Sequence, residues 1–320
     1  IRRSFPNATI AVVGCGASQH HGLAGAKAWN DAVLGSTSAQ TATIHCYAEM
    51  DHTAGILVSD APAVLRRAFE VARDESANIA ATVPPHMRLW LTELGHIGNN
   101  LTNFTTPTLD RTWLEGVFSG ALLLLMVRET RFDIITPYCL VCGDRNSYAF
   151  TTVSHGQVIR PASLAGHVNW VPTPQGAMLS LILNAVGAVP PDGRMQELGF
   201  NPPLLLPPPT RWGLTGQNAE IYPAARVLGW IFRTAANATH SMVLLHLGPE
   251  PLTVNLGETL SSLPREGWSV HQTTPKLGTT DILRDTFSPL SDLNRTASAL
   301  GAERRITLPP YSFTRVSRAA

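Results

Sequence analysis

Extremes of charge and long apolar segments are absent from this 320-residue sequence. Its 24 basic and 23 acidic residues leave a formal net charge of +1, and no run of five like charges occurs. Electrostatics therefore single out neither nucleic acid nor an anionic membrane as a partner. The longest uninterrupted apolar run, Ala121–Val127, is far shorter than the roughly 20 residues that span a bilayer. The sequence predicts a globular chain without a membrane span, and its 44% hydrophobic content is enough for a sizeable core.

Cysteine is also scarce, with Cys15, Cys46, Cys139 and Cys142 as the four examples. Cys139 and Cys142 have the spacing of a zinc or redox motif, but a structural zinc site takes four ligands and no second pair is present. We expect these two to form a local disulfide or to remain buried thiols. Cys15 and Cys46 end neighbouring predicted strands, where their Cα atoms could approach the roughly 4.4–6.8 Å that a disulfide requires. No metal and no organic cofactor is predicted.

Five Asn-x-Ser/Thr tripeptides indicate where the protein resides. Two of them occur within the stretch "NNLTNFT", a density that favours a secreted or lumenal glycoprotein, in which disulfides are also stable. The sequence begins at Ile1 without a charged-then-apolar leader, so we expect any targeting signal to lie upstream or to have been removed. The five candidate glycosylation sites are Asn7, Asn100, Asn103, Asn237 and Asn294.

The first 190 residues alternate apolar strands with amphipathic helices, a pattern typical of parallel strands joined by crossover helices. The predicted strands are Thr9–Gly14, Thr41–Tyr47, Met87–Glu93 and Phe132–Tyr138. The predicted helices are Ala24–Leu34, Ala61–Ala72, Thr112–Glu129 and Gln175–Val186. We therefore assign residues 1–190 to an α/β domain.

The composition changes at about Pro190, and the proline-rich stretch Asn201–Thr210 indicates an extended linker. Short runs with β character and turn residues between them follow, and they predict a small antiparallel β-sandwich. We therefore assign residues 191–320 to a linker and an all-β domain. The predicted strands are Arg226–Arg233, Ser241–Leu247, Leu252–Leu256, Trp268–Thr273 and Arg305–Arg315.

Ligands of parallel α/β folds bind beyond the carboxyl ends of the strands. Glu93 is the only carboxylate directly at the end of a predicted strand, while Glu49 and Asp51 lie just past the second strand. A carboxylate flanked by ring-bearing side chains suits carbohydrate chemistry, in which it attacks or stabilises an oxocarbenium-like centre. His20 and His21, in a glycine-rich loop after the first strand, could line a sugar subsite or be solvated loop residues.

Several segments resemble the C-terminal part of clan A retaining glycoside hydrolases, with α-L-arabinofuranosidases and heparanase-like β-glucuronidases as the most similar groups. The resemblance implies the C-terminal half of a (β/α)8 barrel, strands five to eight, followed by a β-sandwich. It also implies a substrate with arabinofuranosyl- or glucuronide-type linkages in a polysaccharide or glycoconjugate. The segments are "LWLTELG", "TWLEGVFSGALLLLMVRETRFDIITPYCLV", "VPTPQGAMLSLILNAVG" and "RRITLPPYSFTRVSR".

Carried onto this sequence, the resemblance makes Glu93 the nucleophile and matches His45 and Tyr47 to a pair on the preceding strand. We expect Glu93 to face the barrel axis at the end of its strand, with the His45 or Tyr47 side chain within hydrogen-bonding reach. Either of these two could instead be an ordinary packing residue, and a strand-end Glu93 could simply pair with an arginine. Substrate-binding positions are assigned to His45, Tyr47, Trp90, His20 and Tyr138.

One family feature is missing. The acid/base glutamate of this clan belongs to an Asn-Glu pair that ends strand four, and this sequence contains no Asn-Glu dipeptide. We therefore expect that glutamate, with the N-terminal half-barrel, to lie upstream of Ile1 or in another subunit. Two alternatives stay open: a non-catalytic glycoprotein that keeps the fold as a scaffold or carbohydrate-binding component, and an enzyme complete in this chain that uses Glu49 or Asp51 as the acid.

Overall fold

The structure is a computed structural model. It describes these residues: 9, 11–16, 22–50, 57–98, 109, 112–137, 149–150, 153–154, 157–158, 171–186, 193–200, 203–207, 224–234, 236, 239–257, 267–276, 282–283 and 292–318.

A four-stranded parallel sheet forms the N-terminal region, and its strands follow one another in chain order. The strands are β1 (Ala11–Val13), β2 (Thr41–Met50), β3 (Arg88–Gly98) and β4 (Phe132–Pro137). The helices are α1 (Gly22–Val33), α2 (Ala61–Thr82), α3 (Trp113–Met126) and α4 (Pro174–Val186). Each element overlaps its predicted range, but β3 continues past Glu93 to Gly98. The prediction that Glu93 ends its strand is therefore wrong.

The two faces of this sheet differ in coverage. Leu89 and Leu91 of β3 and Ile44 of β2 are fully buried in the core shared with the helices. Val13 and Ile134, which lie on the other face, are 61% and 44% exposed. We call this second face, which carries Val13, His45 and Ile134, the open face.

Helices α3 and α4 pack closely because two glycines of α3 face α4. A Cβ at Gly116 would lie 2.6 Å from the Pro174 carbonyl oxygen, and one at Gly120 would lie 2.6 Å from the side chain of Met178. Thr112 caps α3 by accepting a hydrogen bond from the Glu115 backbone N–H. The other sides of α3 pack against the sheet and α2. Nearly every residue of this helix is therefore buried.

Four two-residue strands follow the parallel sheet and pair as two short ladders, β5 with β8 and β6 with β7. They are β5 (Ala149–Phe150), β6 (Val153–Ser154), β7 (Gln157–Val158) and β8 (Val171–Pro172).

The C-terminal region contains a six-stranded sheet in the order β14-β13-β16-β11-β10-β9 and a two-stranded antiparallel sheet, β12-β15. The predicted strand Arg305–Arg315 is wrong as a single element, because the chain turns at Pro309 and Pro310 between two strands. The strands are β9 (Arg194–Glu197), β10 (Val227–Arg233), β11 (Thr239–His246), β12 (Leu252–Asn255), β13 (Trp268–Pro275), β14 (Leu293–Ala299), β15 (Arg305–Leu308) and β16 (Phe313–Arg318).

Both faces of the six-stranded sheet are covered at its centre. In β10, Trp230 and Phe232 join the core that contains α3 and α4. Val227 and Ile231, which point the other way, form a second core with Val254 of β12 and other residues of the small sheet. The sheet is therefore the middle layer between the helices and the two-stranded sheet.

The turn between β15 and β16 joins the two regions. Tyr311 has a φ of 47°, and its carbonyl accepts a 2.7 Å hydrogen bond from the Trp113 indole of α3. Behind it, His246 is buried between Arg226, whose Nε donates to Nε2 across 3.2 Å, and the Pro309 carbonyl, which lies 2.7 Å from Nδ1. Desolvation lowers the pKa of His246 to about 4.

Candidate active site

A one-residue bulge in β3 determines where Glu93 points. Leu91 pairs with Ile44 of β2, and Glu93 pairs with His45, so Thr92 is an extra residue that has no partner on β2. A bulge of this kind shifts the alternation of side chains between the two faces. Glu93 therefore lies on the same face as His45.

The burial of the neighbouring leucines agrees with this shift. Leu89, Leu91 and Leu94 are all buried on the helix side, with one residue between the first two and two residues between the second and the third. Strict alternation from Leu91 would have put Glu93 on that apolar side, where an unpaired carboxylate is costly. The bulge instead directs Glu93 to the open face.

Two side chains of β2 contact the Glu93 carboxylate. The Tyr47 hydroxyl donates a hydrogen bond to Oε2 of Glu93, and Nδ1 of His45 lies 3.2 Å from the same oxygen. The predicted contact is thus confirmed for both partners. Within the described part of the chain, Oε1 accepts no hydrogen bond, and the Glu93 side chain is 30% exposed.

Trp90 lies on the same open face. It lies three residues before Glu93 along β3, and it pairs with Thr43 of β2 on one side and with Ile134 of β4 on the other. Its side chain is half-buried. The pairing places this predicted substrate-binding residue on the same surface as the Glu93 carboxylate.

The loop after β1 approaches this site from one side. The Cys15 backbone is hydrogen-bonded to α1 and α2: its N–H donates to Oδ1 of Asn30 (2.7 Å), and its carbonyl accepts from Asn30 (2.9 Å) and Asn78 (3.1 Å). These asparagines were not predicted as site residues, because a polar residue within an amphipathic helix carries no signal that it is buried.

The disulfide predicted between Cys15 and Cys46 is not formed, and both are free thiols. Cys46 points from β2 into the helix-side core, whereas Sγ of Cys15 lies 3.4 Å from the Gly16 carbonyl. Desolvation, followed by the nearby Glu75 charge, raises the pKa of Cys15 and raises that of Cys46 well above its usual value. Neither thiol is therefore activated as a nucleophile.

Several predicted residues lie outside the described residues, and the side chain of Glu49 in β2 is likewise not described. Of the five glycosylation sequons, the structure describes Asn294, which is exposed on the edge strand β14. The residues outside are His20, His21, Asp51, Tyr138, Cys139, Cys142, Asn7, Asn100, Asn103 and Asn237.

Within the described part of the chain, no group of three or more His, Cys, Asp or Glu side chains is arranged to hold a metal ion. None of the helices described combines the length and the apolar character needed to cross a membrane.

Comparisons with known proteins give the fold. The sequence matches no family model and no curated protein. Among solved structures, the GH51 arabinofuranosidase from Xanthomonas axonopodis pv. citri aligns over 96% of this chain with 12% identity and a TM-score of 0.57. The GH51 α-L-arabinofuranosidase from Thermotoga petrophila RKU-1 aligns over 98% with 12% identity and a TM-score of 0.58.

A family 51 α-L-arabinofuranosidase from Bifidobacterium longum aligns over 100% of this chain, again with 12% identity, and its TM-score is 0.56. The alignments cover 57%, 58% and 61% of these three enzymes, so the chain spans less than two thirds of their length. Similarity at this level of identity concerns the fold. The chain has a glycoside-hydrolase-like fold.

Proposed function

We propose that this chain is the C-terminal part of a retaining glycoside hydrolase that acts on arabinofuranosyl- or glucuronide-type linkages. The observation that carries the proposal is the Glu93 carboxylate, held by Tyr47 and His45 on the open face of a parallel sheet. The structural neighbours with this fold are named as arabinofuranosidases. The resemblance of the sequence to heparanase-like enzymes keeps glucuronides among the candidate substrates.

In this mechanism Glu93 is the nucleophile. Tyr47 and His45 both contact Oε2, which fixes the orientation of the carboxylate and leaves Oε1 to attack the anomeric carbon. The bond from that carbon to the leaving oxygen breaks as the bond to Oε1 forms, and a second carboxylic acid protonates the leaving oxygen. The same group then removes a proton from water, which attacks the anomeric carbon and releases Glu93.

The second carboxylate is proposed to come from an N-terminal half-barrel, either upstream in the same precursor or in a separate subunit. Support comes from the partial coverage of the neighbours and from the exposed Val13 and Ile134 on the open face. β1 and β4 are also the edge strands of the parallel sheet. A closed barrel of about 250 residues would pair both edges and cover that face.

Trapping the covalent intermediate tests the assignment. The full-length protein is incubated with fluorinated arabinofuranosyl and glucuronyl fluorides, which form a glycosyl-enzyme that hydrolyses slowly. We expect mass spectrometry to find one sugar attached, on the peptide that contains Glu93. A label on another carboxylate would contradict the role of Glu93.

A scaffold or carbohydrate-binding role is the second candidate. It is favoured by one observation: within the described residues, the Glu93 carboxylate contacts Tyr47 and His45 and no second carboxylate. A full-length protein that binds an oligosaccharide but neither hydrolyses it nor takes up the label would support this candidate over the hydrolase.

We also propose that the protein is secreted or lumenal, on the basis of its five sequons and its exposed Asn294. The intact mass of protein from its native source, before and after glycosidase treatment, tests this. Attached glycan at several sequons is the expected result, and an unglycosylated mass would contradict it.

A further inference from the structure

Resting on the proposed role of Glu93, we propose that Gly16 is a positioning residue that holds the His45 peptide, and through it the His45 ring, in place beside Glu93. The buried side chains of Asn30, Asn78 and Glu75 hold Gly16 there. None of these four residues touches the Glu93 carboxylate, so they act through His45.

The first step is the fixed position of the loop. Asn30 and Asn78 are both fully buried, and together they satisfy the backbone N–H and carbonyl of Cys15. Asn30 also donates to Thr82 (2.8 Å), and Asn78 donates to Glu75 (3.1 Å). Because buried polar groups that lose their partners are costly, this network allows the loop one position.

The second step is the contact between the loop and β2. Gly16 is buried, and a Cβ at this position would overlap the carbonyl oxygen of His45 and lie 3.1 Å from Oε2 of Glu75. Gly16 therefore fills the space between the buried Glu75 carboxylate and the His45 peptide. A larger residue would have to displace one of the two, and Glu75 is held by Asn78.

The third step leads to the site. The His45 side chain is 47% exposed, so few side-chain contacts fix its ring, and its 3.2 Å distance to Glu93 depends on where the His45 backbone lies. A shift of that backbone moves the ring relative to the carboxylate. Displacements of about 1 Å in a catalytic arrangement can lower a rate by about 100-fold.

Two glycine substitutions in the same loop form the test. Gly16→Ala should displace His45, whereas Gly14→Ala meets its closest atom, the Thr43 carbonyl oxygen, at 3.2 Å and needs only a small adjustment. In the full-length protein, the nitrogen resonances of the His45 imidazole are measured by NMR and assigned with a His45→Gln variant. We expect Gly16→Ala to shift these resonances and Gly14→Ala to leave them in place. Unshifted resonances in a folded Gly16→Ala protein would overturn the proposal.

Steady-state kinetics give a second readout. Gly16→Ala should lower kcat by about 100-fold with little change in KM, and it should lower kcat much less when His45 is already replaced by Gln. An equal loss in both backgrounds would mean that Gly16 does not act through His45, and it would overturn the proposal.

If Gly16→Ala does not fold, Asn78→Leu replaces it. This change removes the Asn78 hydrogen bond to the Cys15 carbonyl while Asn30 keeps its own. Ser241→Ala serves as the control, because it removes a buried 3.1 Å hydrogen bond from β11 to the Ala185 carbonyl of α4. Asn78→Leu should shift the His45 resonances and Ser241→Ala should not; a result without this difference overturns the proposal. Shifted resonances in a protein that hydrolyses no glycoside would support the positioning role and count against the hydrolase alone.

Discussion

The parallel sheet and the six-stranded antiparallel sheet of this protein use their faces differently. Leu89 and Leu91 cover one face of the parallel sheet with buried apolar groups, while its other face exposes Val13 and Glu93. At the centre of the antiparallel sheet, both faces are buried, and β10 is apolar almost throughout. The first sheet leaves the Glu93 carboxylate partly exposed on one face, and the second is packed on both sides.

This difference indicates where substitutions will change chemistry and where they will change stability. A side chain on the open face contributes little to the folding of this chain, so it is free to serve binding and catalysis. A side chain in the middle layer contacts two cores.

The largest effect is expected at Glu93. Glu93→Gln keeps the size of the side chain but removes the nucleophile, so the proposed hydrolysis should fall by a factor on the order of 10⁴ or more. Asp133→Asn, at an exposed carboxylate of β4 that pairs with Arg88, is the control and should retain activity. Both are measured with nitrophenyl arabinofuranoside and glucuronide, alongside thermal unfolding. Full activity in Glu93→Gln would end the assignment.

The second prediction compares one apolar residue from each sheet. Phe232 is buried in the middle layer, and Phe232→Ala should lower the free energy of unfolding by about 3–5 kcal/mol. Ile134→Ala, on the open face, should lower it by less than about 1 kcal/mol in residues 1–320 alone. Urea denaturation measures both.

The same pair sharpens the comparison when the full-length protein is used. If a half-barrel covers the open face, Ile134→Ala should lower the free energy of unfolding more in the full-length protein than in residues 1–320. An equal decrease in both would contradict the proposed covering of that face.

The third prediction concerns His246, whose pKa is lowered to about 4 mainly by desolvation. In the unfolded chain its pKa is about 6.5, so protons bind the unfolded state first as the pH falls. Neutral His246 therefore makes its full contribution to the free energy of unfolding above about pH 6.5. As the pH falls from about 6.5 to 4, the free energy of unfolding decreases by up to about 3 kcal/mol. Unfolding free energies of wild type and His246→Gln across this range should converge at the acid end. Parallel curves would contradict the prediction.

The smallest effect is expected at an exposed ion pair. Arg128, just after α3, pairs with Glu197 of β9, and both side chains are about 40% exposed, at 42% and 39%. Their coupling in a double-mutant cycle with Arg128→Ala and Glu197→Ala should be less than about 1 kcal/mol and should decrease with added salt. A coupling of several kcal/mol would show that this link between the regions matters more than its exposure suggests.

Much of the architecture could be predicted from the sequence because its signals are local. The apolar runs of β1 to β4 and the amphipathic patterns of α1 to α4 lie in contiguous residues, and each of these eight predicted elements is present. β14 was missed because its residues after Leu293 are all exposed, so the strand has no hydrophobic alternation. β9 was missed for the same reason, since each of its residues is exposed.

The site was predicted in part. Glu93 was singled out at the end of an apolar run, and the resemblance to clan A glycosidases matched His45 and Tyr47 to it; the structure brings the three side chains into contact. The bulge was not predicted, although the spacing of Leu89, Leu91 and Leu94 contains its signal. Gly16 and its buried network could not be predicted, because their role depends on contacts between residues that are far apart in the chain.

The bulge at Thr92 has a consequence for aligning this chain with other sequences. At 12% identity, a gap can be moved by a residue at almost no cost in alignment score. Here a shift of one residue would match Thr92 or Leu94, not Glu93, to the carboxylate of another protein. Comparisons of this strand should therefore be anchored on the pairing of Glu93 with His45 across the sheet, since that pairing fixes the position that a linear alignment leaves free.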